Sequence, residues 1–267
     1  MIVLTGGAGF IGSVLLWSLN DHGISDIILV DNLNEKAKER NIQGKKFKDY
    51  IDKKEFIQRV QNNSLPKSID AIFHLGACSS TTETNETYLM QNNYQYSVDV
   101  CSFAIRHNMR FIYASSAATY GAGENGYDDD ESLIPKLSPL NLYGSSKQRF
   151  DMWVLENDIL DKVAGIKYFN VFGPNEYHKK EMRSVIARSF QDILREKKIR
   201  LFKYYKPEYR NGEQKRDFFY VKDAVKVTEF FLYNRDVCGI FNAGTGRART
   251  WNDLAGAIFD ALGFELK

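Results

Sequence analysis

The first 20 residues constrain the fold more strongly than any other stretch of this chain. A hydrophobic strand over residues 2–4 leads directly into a glycine-rich turn over residues 5–12, and an apolar helix follows. Glycine lets the chain turn sharply there and lets the helix pack close to the strand. A second hydrophobic strand over residues 27–30 ends at Asp31. The pattern predicts a β-α-β unit that begins a parallel sheet.

The glycine-rich turn has the spacing that binds the diphosphate of a dinucleotide. Gly7, Gly9 and Gly12 fit the pattern Gly-x-Gly-x-x-Gly, and Gly6 fits a looser version of it. The free N–H groups and the dipole at the start of the helix favour an anion. The preceding strand, the following helix and Asp31 supply the context that this pattern needs to be informative. We therefore predict that the turn binds a dinucleotide cofactor through Gly6, Gly9, Phe10, Ile11 and Gly12.

Composition excludes several other classes of protein. The 267 residues, 43% of them hydrophobic, can bury a sizeable core, and the net charge of +2 does not indicate a nucleic-acid partner. No apolar run reaches the roughly 18 residues that span a bilayer, and the N-terminus reads as a strand rather than a signal peptide. Cys78, Cys101 and Cys238 are an odd number without metal or redox spacing. We expect buried, reduced thiols and a cytoplasmic protein.

Strands and helices alternate along the first two thirds of the chain. Further elements are predicted as strands 69–76, 110–116 and 163–170 and helices 90–108 and 142–156. This alternation predicts an α/β fold, a doubly wound parallel sheet of the Rossmann type, with ligands beyond the carboxyl ends of the strands.

The alternation loosens beyond residue 170. Later elements are predicted as a helix over 177–198, a polar loop over 203–215, a segment 216–221 leading to a helix after Asp223, a strand over 239–242 and a helix after Trp251. We predict a dinucleotide-binding domain over 1–170 with 217–245, and a smaller C-terminal substrate lobe over 171–216 with 246–267.

Ser116, Tyr143 and Lys147 form the candidate catalytic set. Tyr143 and Lys147 are four residues apart on one predicted helix and share a face, and Ser116 ends a preceding strand. A neighbouring ammonium favours the phenolate and is expected to lower the pKa of Tyr143. Such a set suits proton removal from an alcohol while hydride leaves for a nicotinamide. The alternative is a tyrosine ring that packs beside a surface lysine.

Two charged stretches have simpler interpretations. Most lysines within residues 34–54 are expected to be solvated, although one or two are placed to face the adenosine ribose. Carboxylates in the loop 124–131 also read as solvated, so no metal site is predicted.

The motifs at 5–12, 115–121 and 143–147 resemble the extended short-chain dehydrogenase/reductase superfamily over the whole chain. Within it, the chain is similar to the ADP-L-glycero-D-manno-heptose 6-epimerase family. The similarity rests on segments 71–83, 92–97, 113–121, 169–174, 178–179 and 215–218. Residues 78–83 and 178–179 separate this family from sugar-nucleotide 4-epimerases.

The resemblance implies a reaction. Bound NADP⁺ takes hydride from C6'' of ADP-D-glycero-D-manno-heptose and leaves a transient ketone, and hydride returns to the ketone's other face, which supplies heptose for lipopolysaccharide core. Inversion needs acid/base groups on both faces, and the family positions match Tyr143 and Lys179. A lysine in a closed pocket can have its pKa drawn down toward neutrality. The family also implies a homo-oligomer, often a pentamer.

The resemblance also implies binding residues. Its cofactor positions, besides those in the glycine-rich turn, are Asp31, Asn32, Lys38, Lys53, Leu75, Gly76, Ala77, Cys78, Ser79, Asn92, Lys147, Val171 and Lys179. Its substrate positions are Ser116, Asn170, Glu181, Arg188, Phe202 and Arg216. Leu75 stands where the family often has an acidic residue, and the loop 203–215 is longer than the family pattern. The chain stops earlier than the family usually does, so a truncated lobe is expected.

The form of the nucleotide follows from opposing signals. Asp31 favours NAD because a carboxylate accepts from a free ribose 2'-hydroxyl and repels a 2'-phosphate. Lys36, Lys38 and Lys53 favour NADP, and the family uses NADP with lysines aligned to Lys38 and Lys53. We predict NADP, with NAD as the alternative.

Other functions were weighed against this one. A 4,6-dehydratase needs a carboxylate after the strand, where Ala117 and Ala118 stand. A cofactor-sensing scaffold typically loses the tyrosine or lysine, and both Tyr143 and Lys147 remain. Another nucleotide-sugar 4-epimerase or reductase of the same superfamily stays open, because a fold does not determine the substrate.

Overall fold

The computed structural model describes residues 1–33, 36–201, 203 and 210–264. It begins with the predicted unit: strand β1 (Ile2–Thr5), helix α1 (Phe10–Asp21) and strand β2 (Ile27–Asp31). The two strands pair in parallel. Both are buried along their whole length, as is typical of parallel strands covered by helices on both faces.

Among the described residues, nine further strands follow in chain order. They are β3 (Asp49–Asp52), β4 (Ala71–His74), β5 (Arg110–Ser116), β6 (Val163–Tyr168), β7 (Asn170–Phe172), β8 (Lys215–Arg216), β9 (Phe218–Tyr220), β10 (Gly239–Ala243) and β11 (Arg249–Thr250). Seven strands form one sheet in the order β10-β6-β5-β4-β1-β2-β3, and all its pairs are parallel. The predicted doubly wound sheet is confirmed. Its order reverses between β1 and β4, where the carboxyl ends open a crevice for a ligand.

Helices cover both faces of this sheet. After α1 they are α2 (Lys36–Ile42), α3 (Lys53–Gln61), α4 (Glu86–Leu89), α5 (Tyr96–Arg106), α6 (Leu142–Glu156), α7 (Val185–Glu196), α8 (Val221–Tyr233) and α9 (Trp251–Ala261). Leu4 and its neighbours on that face pack with α1 and α8, whereas Val3 and the opposite face pack with α3, α5 and α6. Successive residues of a strand therefore pack into two separate hydrophobic cores, one on each face of the sheet.

Three element predictions need correction. The helix predicted over 90–108 begins at Glu86, capped by Asn85, and contains a π-helical turn over Met90–Gln95. The strand predicted over 163–170 ends at Tyr168, and β7 pairs with β9 outside the main sheet. The single helix predicted over 177–198 is wrong: a 3-10 segment (Tyr177–Met182) precedes α7, whose cap is Ser184.

The remaining predictions concern bounds and solvent exposure. The helix predicted after Asp223 already begins at Val221. All three cysteines are free, but only Cys101 is buried, so the prediction of burial is wrong for Cys78 and Cys238. Within the described ranges, no helix combines the length and apolar character needed to cross a membrane. The division into two domains stays a prediction.

Candidate active site

A cavity of about 840 Å³ lies over the carboxyl ends of β1, β4 and β5. The glycine-rich turn contributes one wall, and α6, β7 and the segment before α7 contribute the others. It is lined by the predicted cofactor residues Gly6, Gly9, Phe10, Ile11, Gly12, Asp31, Asn32, Lys38, Lys53, Leu75, Gly76, Ala77, Cys78, Ser79, Asn92, Lys147, Val171 and Lys179. The lining also includes Ser116, Tyr143, Asn170, Glu181 and Arg188. The fold therefore brings most of the predicted set to one place.

The glycine-rich turn has the shape of a dinucleotide cradle. Gly6 has a φ of +68°, and a Cβ there would lie 2.7 Å from Gly76 Cα. A Cβ on Gly12 would lie 2.2 Å from the carbonyl oxygen of Gly6. Helix α1 starts at Phe10 without a described side chain capping its first N–H groups. Bare backbone and free donors are what a diphosphate requires, so the residues present fit the implied cofactor.

Asp31 is engaged from three directions at the end of β2. Its Oδ2 accepts from the Ala8 N–H at 2.9 Å, and its Oδ1 accepts from the Asn32 N–H at 2.7 Å. Lys38 Nζ donates to Oδ1 at 2.8 Å, and Asp31 is 6% exposed. The carboxylate therefore holds the glycine-rich turn and has an ammonium beside it.

A buried asparagine that sequence reasoning missed supports this wall. The Asn93 side chain accepts from the Cys78 N–H at 2.8 Å and donates to the Cys78 carbonyl at 2.9 Å. It also donates to Ser146 Oγ on α6 at 3.0 Å, while Lys53 donates to Asn92 at 2.8 Å. Asn93 stands within the segment 92–97 that carried the resemblance, which is the one signal that could have identified it.

Tyr143 and Lys147 face the cavity from α6 beside Ser116. The Asn141 cap of α6 places Tyr143 in the first helical turn, and the Tyr143 side chain interacts with that of Ser116. Lys147 Nζ donates to the Ala114 carbonyl at 2.7 Å. The predicted trio is thus assembled by β5 and α6, and side chains of these types can transfer a proton at an alcohol oxygen.

The expected lowering of the Tyr143 pKa by Lys147 is wrong for the structure as it stands. Burial raises the pKa of the Tyr143 hydroxyl, and its interaction with Ser116 acts in the opposite direction. The cost of burying a phenolate therefore decides the direction of the shift. Burial likewise lowers the pKa of Lys147 to about 8, with the charge of Asp151 acting in the opposite direction.

Asp151 lies one turn beyond Lys147 and is fully buried. It accepts from the Tyr113 hydroxyl at 2.9 Å and from Ser115 Oγ at 2.7 Å, and Lys167 Nζ lies 3.5 Å from it. This network joins α6 to β5 and β6 beneath the reacting groups. Sequence reasoning missed Asp151, although its position four residues beyond Lys147 puts it on the same helical face.

Lys179 reaches the cavity from the 3-10 segment before α7. Its Nζ lies 5.5 Å from the centre of the Phe10 ring. Burial lowers the pKa of Lys179, and the charge of Glu176 opposes that change. The direction agrees with the expectation for an amine in a closed pocket. Its neighbour His178 is within 3.1 Å of the Asn41 amide on α2, and burial lowers the pKa of that imidazole.

Two predicted substrate residues are not in the described lining. Arg216 is exposed on the two-stranded β8–β11 sheet, where its Nη1 donates to the Lys215 carbonyl at 2.7 Å. The backbone of Arg216 pairs with Arg249 of β11, a contact that the sequence did not reveal. Phe202 lies outside the described residues. Phe218 and Trp251, which were not predicted, also line the cavity.

The acidic loop 124–131 binds backbone rather than lying free in solvent. Asp129 accepts from the Asn242 N–H at 2.7 Å, Glu131 from the Ile240 N–H at 3.3 Å and Asp130 from the Ser132 N–H at 2.9 Å. The loop thus contacts the edge strand β10. Among the described residues, no cluster of three potential metal ligands occurs.

Comparison with known proteins identifies the relatives of this chain. Residues 2–244 match the profile of the NAD dependent epimerase/dehydratase family. An ADP-L-glycero-D-manno-heptose-6-epimerase of Nitratidesulfovibrio vulgaris is 49% identical over 98% of this chain and 81% of its own length. A protein of the same name from Fusobacterium nucleatum is 45% identical over 98% of this chain and 80% of its own length.

Solved structures agree with the sequence relatives. The ADP-L-glycero-D-manno-heptose-6-epimerase of Helicobacter pylori is 30% identical with a TM-score of 0.81, covering 98% of this chain and 82% of its own. A UDP-N-acetylglucosamine 4-epimerase from Methanobrevibacter ruminantium is 27% identical with a TM-score of 0.81, covering 99% and 82%. The resemblance drawn from the motifs is confirmed. The chain belongs to the NAD dependent epimerase/dehydratase family and, within it, to the family of ADP-L-glycero-D-manno-heptose-6-epimerases.

Proposed function

We propose that this chain converts ADP-D-glycero-D-manno-heptose to ADP-L-glycero-D-manno-heptose by epimerisation at C6'', with tightly bound NADP⁺, and so supplies heptose for lipopolysaccharide core. One observation carries the proposal. Tyr143 and Lys179, which come from different elements, line the same cavity as the glycine-rich turn. Inversion of a carbon needs acid/base groups that approach it from two sides. The heptose epimerases at 45–49% identity support the choice of substrate.

The roles of the residues follow from their contacts. The nicotinamide dinucleotide, when bound, supplies the capacity to accept a hydride and return it. Tyr143 exchanges a proton with the substrate oxygen on one face, and Lys179 does so on the other. Ser116 interacts with Tyr143, so it orients the phenol and donates to the same substrate oxygen. Lys147, held by the Ala114 carbonyl, supplies an ammonium that favours the phenolate when the site works.

The preference for NADP rests on two lysines, Lys38 and Lys53, that line the cavity with the Asp31 carboxylate. Lys38 lies 2.8 Å from this carboxylate and offsets its charge. Lys53 lines the same part of the cavity, and burial and the charge of Lys38 lower its pKa. A phosphate on the ribose would add a second anion beside these two amines. We propose that Lys38 and Lys53 together accommodate the 2'-phosphate.

The remaining assignments extend the same proposal. Asn170, Glu181 and Arg188 line the cavity and are assigned to the substrate. The guanidinium of Arg188 suits a diphosphate. Arg216 and Phe202 keep their family assignment as a proposal, as do the residues assigned to the cofactor. A homo-oligomer and a cytoplasmic location are further proposals, and light scattering of the purified protein tests the first.

The test is incubation of the purified protein with ADP-D-glycero-D-manno-heptose, with the configuration at C6'' followed by NMR. Appearance of the L-glycero epimer supports the proposal, and an unchanged substrate with intact cofactor contradicts it. Nucleotide released on denaturation identifies the cofactor, and stoichiometric NAD would contradict the choice of NADP. Tyr143→Phe and Lys179→Ala should each abolish turnover while the cofactor stays bound. Unaffected turnover of Lys179→Ala would remove that residue from the mechanism.

A further inference from the structure

One buried carboxylate joins both ends of the segment that carries Lys179. This segment, residues 173–184, is named here the Lys179 segment. Glu176 is 2% exposed and is not among the residues that line the cavity. Its Oε1 accepts from the Gly173 N–H at 3.2 Å and from Ser184 Oγ at 2.7 Å, and its Oε2 accepts from the Ser184 N–H at 2.5 Å. The two ends of the segment are therefore held together by a single side chain.

The backbone between these two ends has an unfavourable conformation at Lys180. Lys180 has a φ of +48° and a ψ of −119°, which is unusual for a residue with a Cβ. Such a conformation persists where surrounding contacts hold it. The Lys179 N–H donates to the Glu176 carbonyl at 3.0 Å. Glu176 therefore makes two kinds of contact with this turn. Its carbonyl accepts from the Lys179 N–H, and its carboxylate binds the two ends of the segment.

Other contacts hold the opposite side of the Lys179 segment. Asn175 donates to Ser13 Oγ on α1 at 3.0 Å, and the Asn41 amide of α2 lies 3.1 Å from His178 Nδ1. These contacts join the segment to the cofactor side of the cavity. Ser184, which Glu176 binds, caps α7 by accepting from the Ala187 N–H at 3.1 Å. Glu176 is therefore the link between the Lys179 segment and the helix that carries Arg188.

We propose that Glu176 is the positioning residue for Lys179: by binding Gly173 and Ser184 it holds the Lys179 segment closed, so that the Lys179 amine stays directed into the cavity. The inference rests on the proposed role of Lys179 as an acid/base group. A carboxylate with several donors from two separated positions is suited to this task, because charge-assisted hydrogen bonds are short and strong.

The same carboxylate acts on the charge of the amine. Burial lowers the pKa of Lys179, and Glu176 is the charged group that acts against it. On the other side of the amine lies the Phe10 ring. The titratable groups around Lys179 are Glu176, Tyr177, His178, Lys180, Glu181 and Arg183 within the Lys179 segment, Arg188 on α7, Lys38 and Asp31 across the cofactor side, and Tyr143 on α6. Loss of the Glu176 charge should therefore move the titration of Lys179 to lower pH.

Two variants separate the effect of the length of the Glu176 side chain from that of its charge, and a third is a control. Glu176→Gln keeps the reach of the side chain and removes its charge, whereas Glu176→Asp keeps the charge and shortens the reach. Glu229→Gln is the matched control, because Glu229 is also a buried carboxylate, is 4% exposed, and accepts from Ser18 Oγ at 3.0 Å on the far side of α1. Each is prepared with its cofactor, and melting temperatures confirm that it is folded.

Two measurements are made on each variant. The first is the rate of acetylation of Lys179 by acetic anhydride as a function of pH, read by mass spectrometry, which does not depend on enzyme activity. The second is kcat and KM for epimerisation. We expect the acetylation midpoint of Glu176→Gln to move to lower pH and its kcat to fall about tenfold, with KM little changed. Glu176→Asp should lose about ten- to a hundredfold in kcat through displacement of the amine, with its acetylation midpoint nearer that of the parent protein.

The outcomes distinguish this inference from the proposed function. An acetylation profile of Glu176→Gln that matches that of Glu229→Gln overturns the inference. So does an unchanged kcat in both Glu176 variants while Lys179→Ala is impaired. Absence of epimerase activity in the parent protein, with the acetylation shift present, rejects the proposed function and leaves the hold of Glu176 on Lys179 standing.

Discussion

Replacement of Gly12 by alanine tests whether the glycine-rich turn is built for close approach. A Cβ at this position would lie 2.2 Å from Gly6 O, 2.8 Å from Gly6 C and 2.9 Å from Gly7 Cα. All three atoms belong to the backbone, so no side chain can rotate away. Gly12 lies in α1, and elsewhere in a helix the same change would stabilise by about 0.5–1 kcal/mol. Here the displacement of the turn should outweigh that gain and lower the free energy of unfolding by about 1–3 kcal/mol.

Gly256→Ala is the control for this prediction. Gly256 lies within α9, and a Cβ there would meet nothing within 4 Å. This variant should therefore gain about 0.5–1 kcal/mol. For a protein of this size each kcal/mol moves the melting temperature by roughly 2–4 °C. Thermal unfolding followed by circular dichroism should show Gly12→Ala melting below the parent and Gly256→Ala at or above it.

Cofactor content provides the second measurement for Gly12→Ala. Because the turn and the start of α1 are predicted to hold the diphosphate, displaced backbone should also reduce the nucleotide that co-purifies. Gly256→Ala should keep the parent amount. A Gly12→Ala protein that melts with or above Gly256→Ala and retains full nucleotide would show that the turn tolerates the side chain, and the close-approach argument would be wrong.

Three further predictions concern charge and protonation. Lys38→Met should lower affinity for NADP relative to NAD by about ten- to a hundredfold, because Asp31 then faces the 2'-phosphate without the Lys38 ammonium. Titration of the nucleotide-free protein with each cofactor measures this ratio of affinities, and an unchanged ratio contradicts the prediction. Lys147 is protonated below its pKa of about 8, so kcat should fall as pH rises through that value, and Lys147→Arg should lack this limb because guanidinium stays charged. Burial lowers the pKa of His74 to about 3, so its stabilising contribution is present above pH 6.5. As pH falls from 6.5 towards 3, the free energy of unfolding should fall by about 1.4 kcal/mol per pH unit. Urea unfolding of His74→Gln should show a weaker dependence of this free energy on pH in the acid range.

The sequence predicted the parallel α/β fold because each strand and helix has its own local pattern of apolar residues. Buried parallel strands are continuous apolar runs, and their alternation with helices leaves few possible topologies. The helix over 142–156 and the strand over 110–116 have the predicted bounds. Errors occurred where local signals are weak. The π-helical turn over Met90–Gln95 has no sequence signature, and the break before Ser184 depends on its bond to Glu176.

The candidate site was predictable where short-range spacing carries it. Residues four apart, such as Tyr143 and Lys147, share a face of any helix, whatever the tertiary structure around it. The glycine spacing of the first turn, between a strand and a helix, is typical of dinucleotide binding. Partners that are distant in sequence were not predictable. Asn93 binds Cys78 and Ser146 across the cavity wall, and only the folded chain brings them together.

The sequence by itself therefore determined the parallel α/β fold, the cofactor turn and the Tyr143–Lys147 pair, because each follows from repeats of a few residues along the chain. The tertiary structure alone decided the direction of the pKa shift of Tyr143, since burial raises this pKa. It also decided that Arg216 lies exposed and that Glu176 holds the Lys179 segment. Desolvation and long-range contacts are properties of the packed molecule, and no spacing along the chain encodes their magnitude.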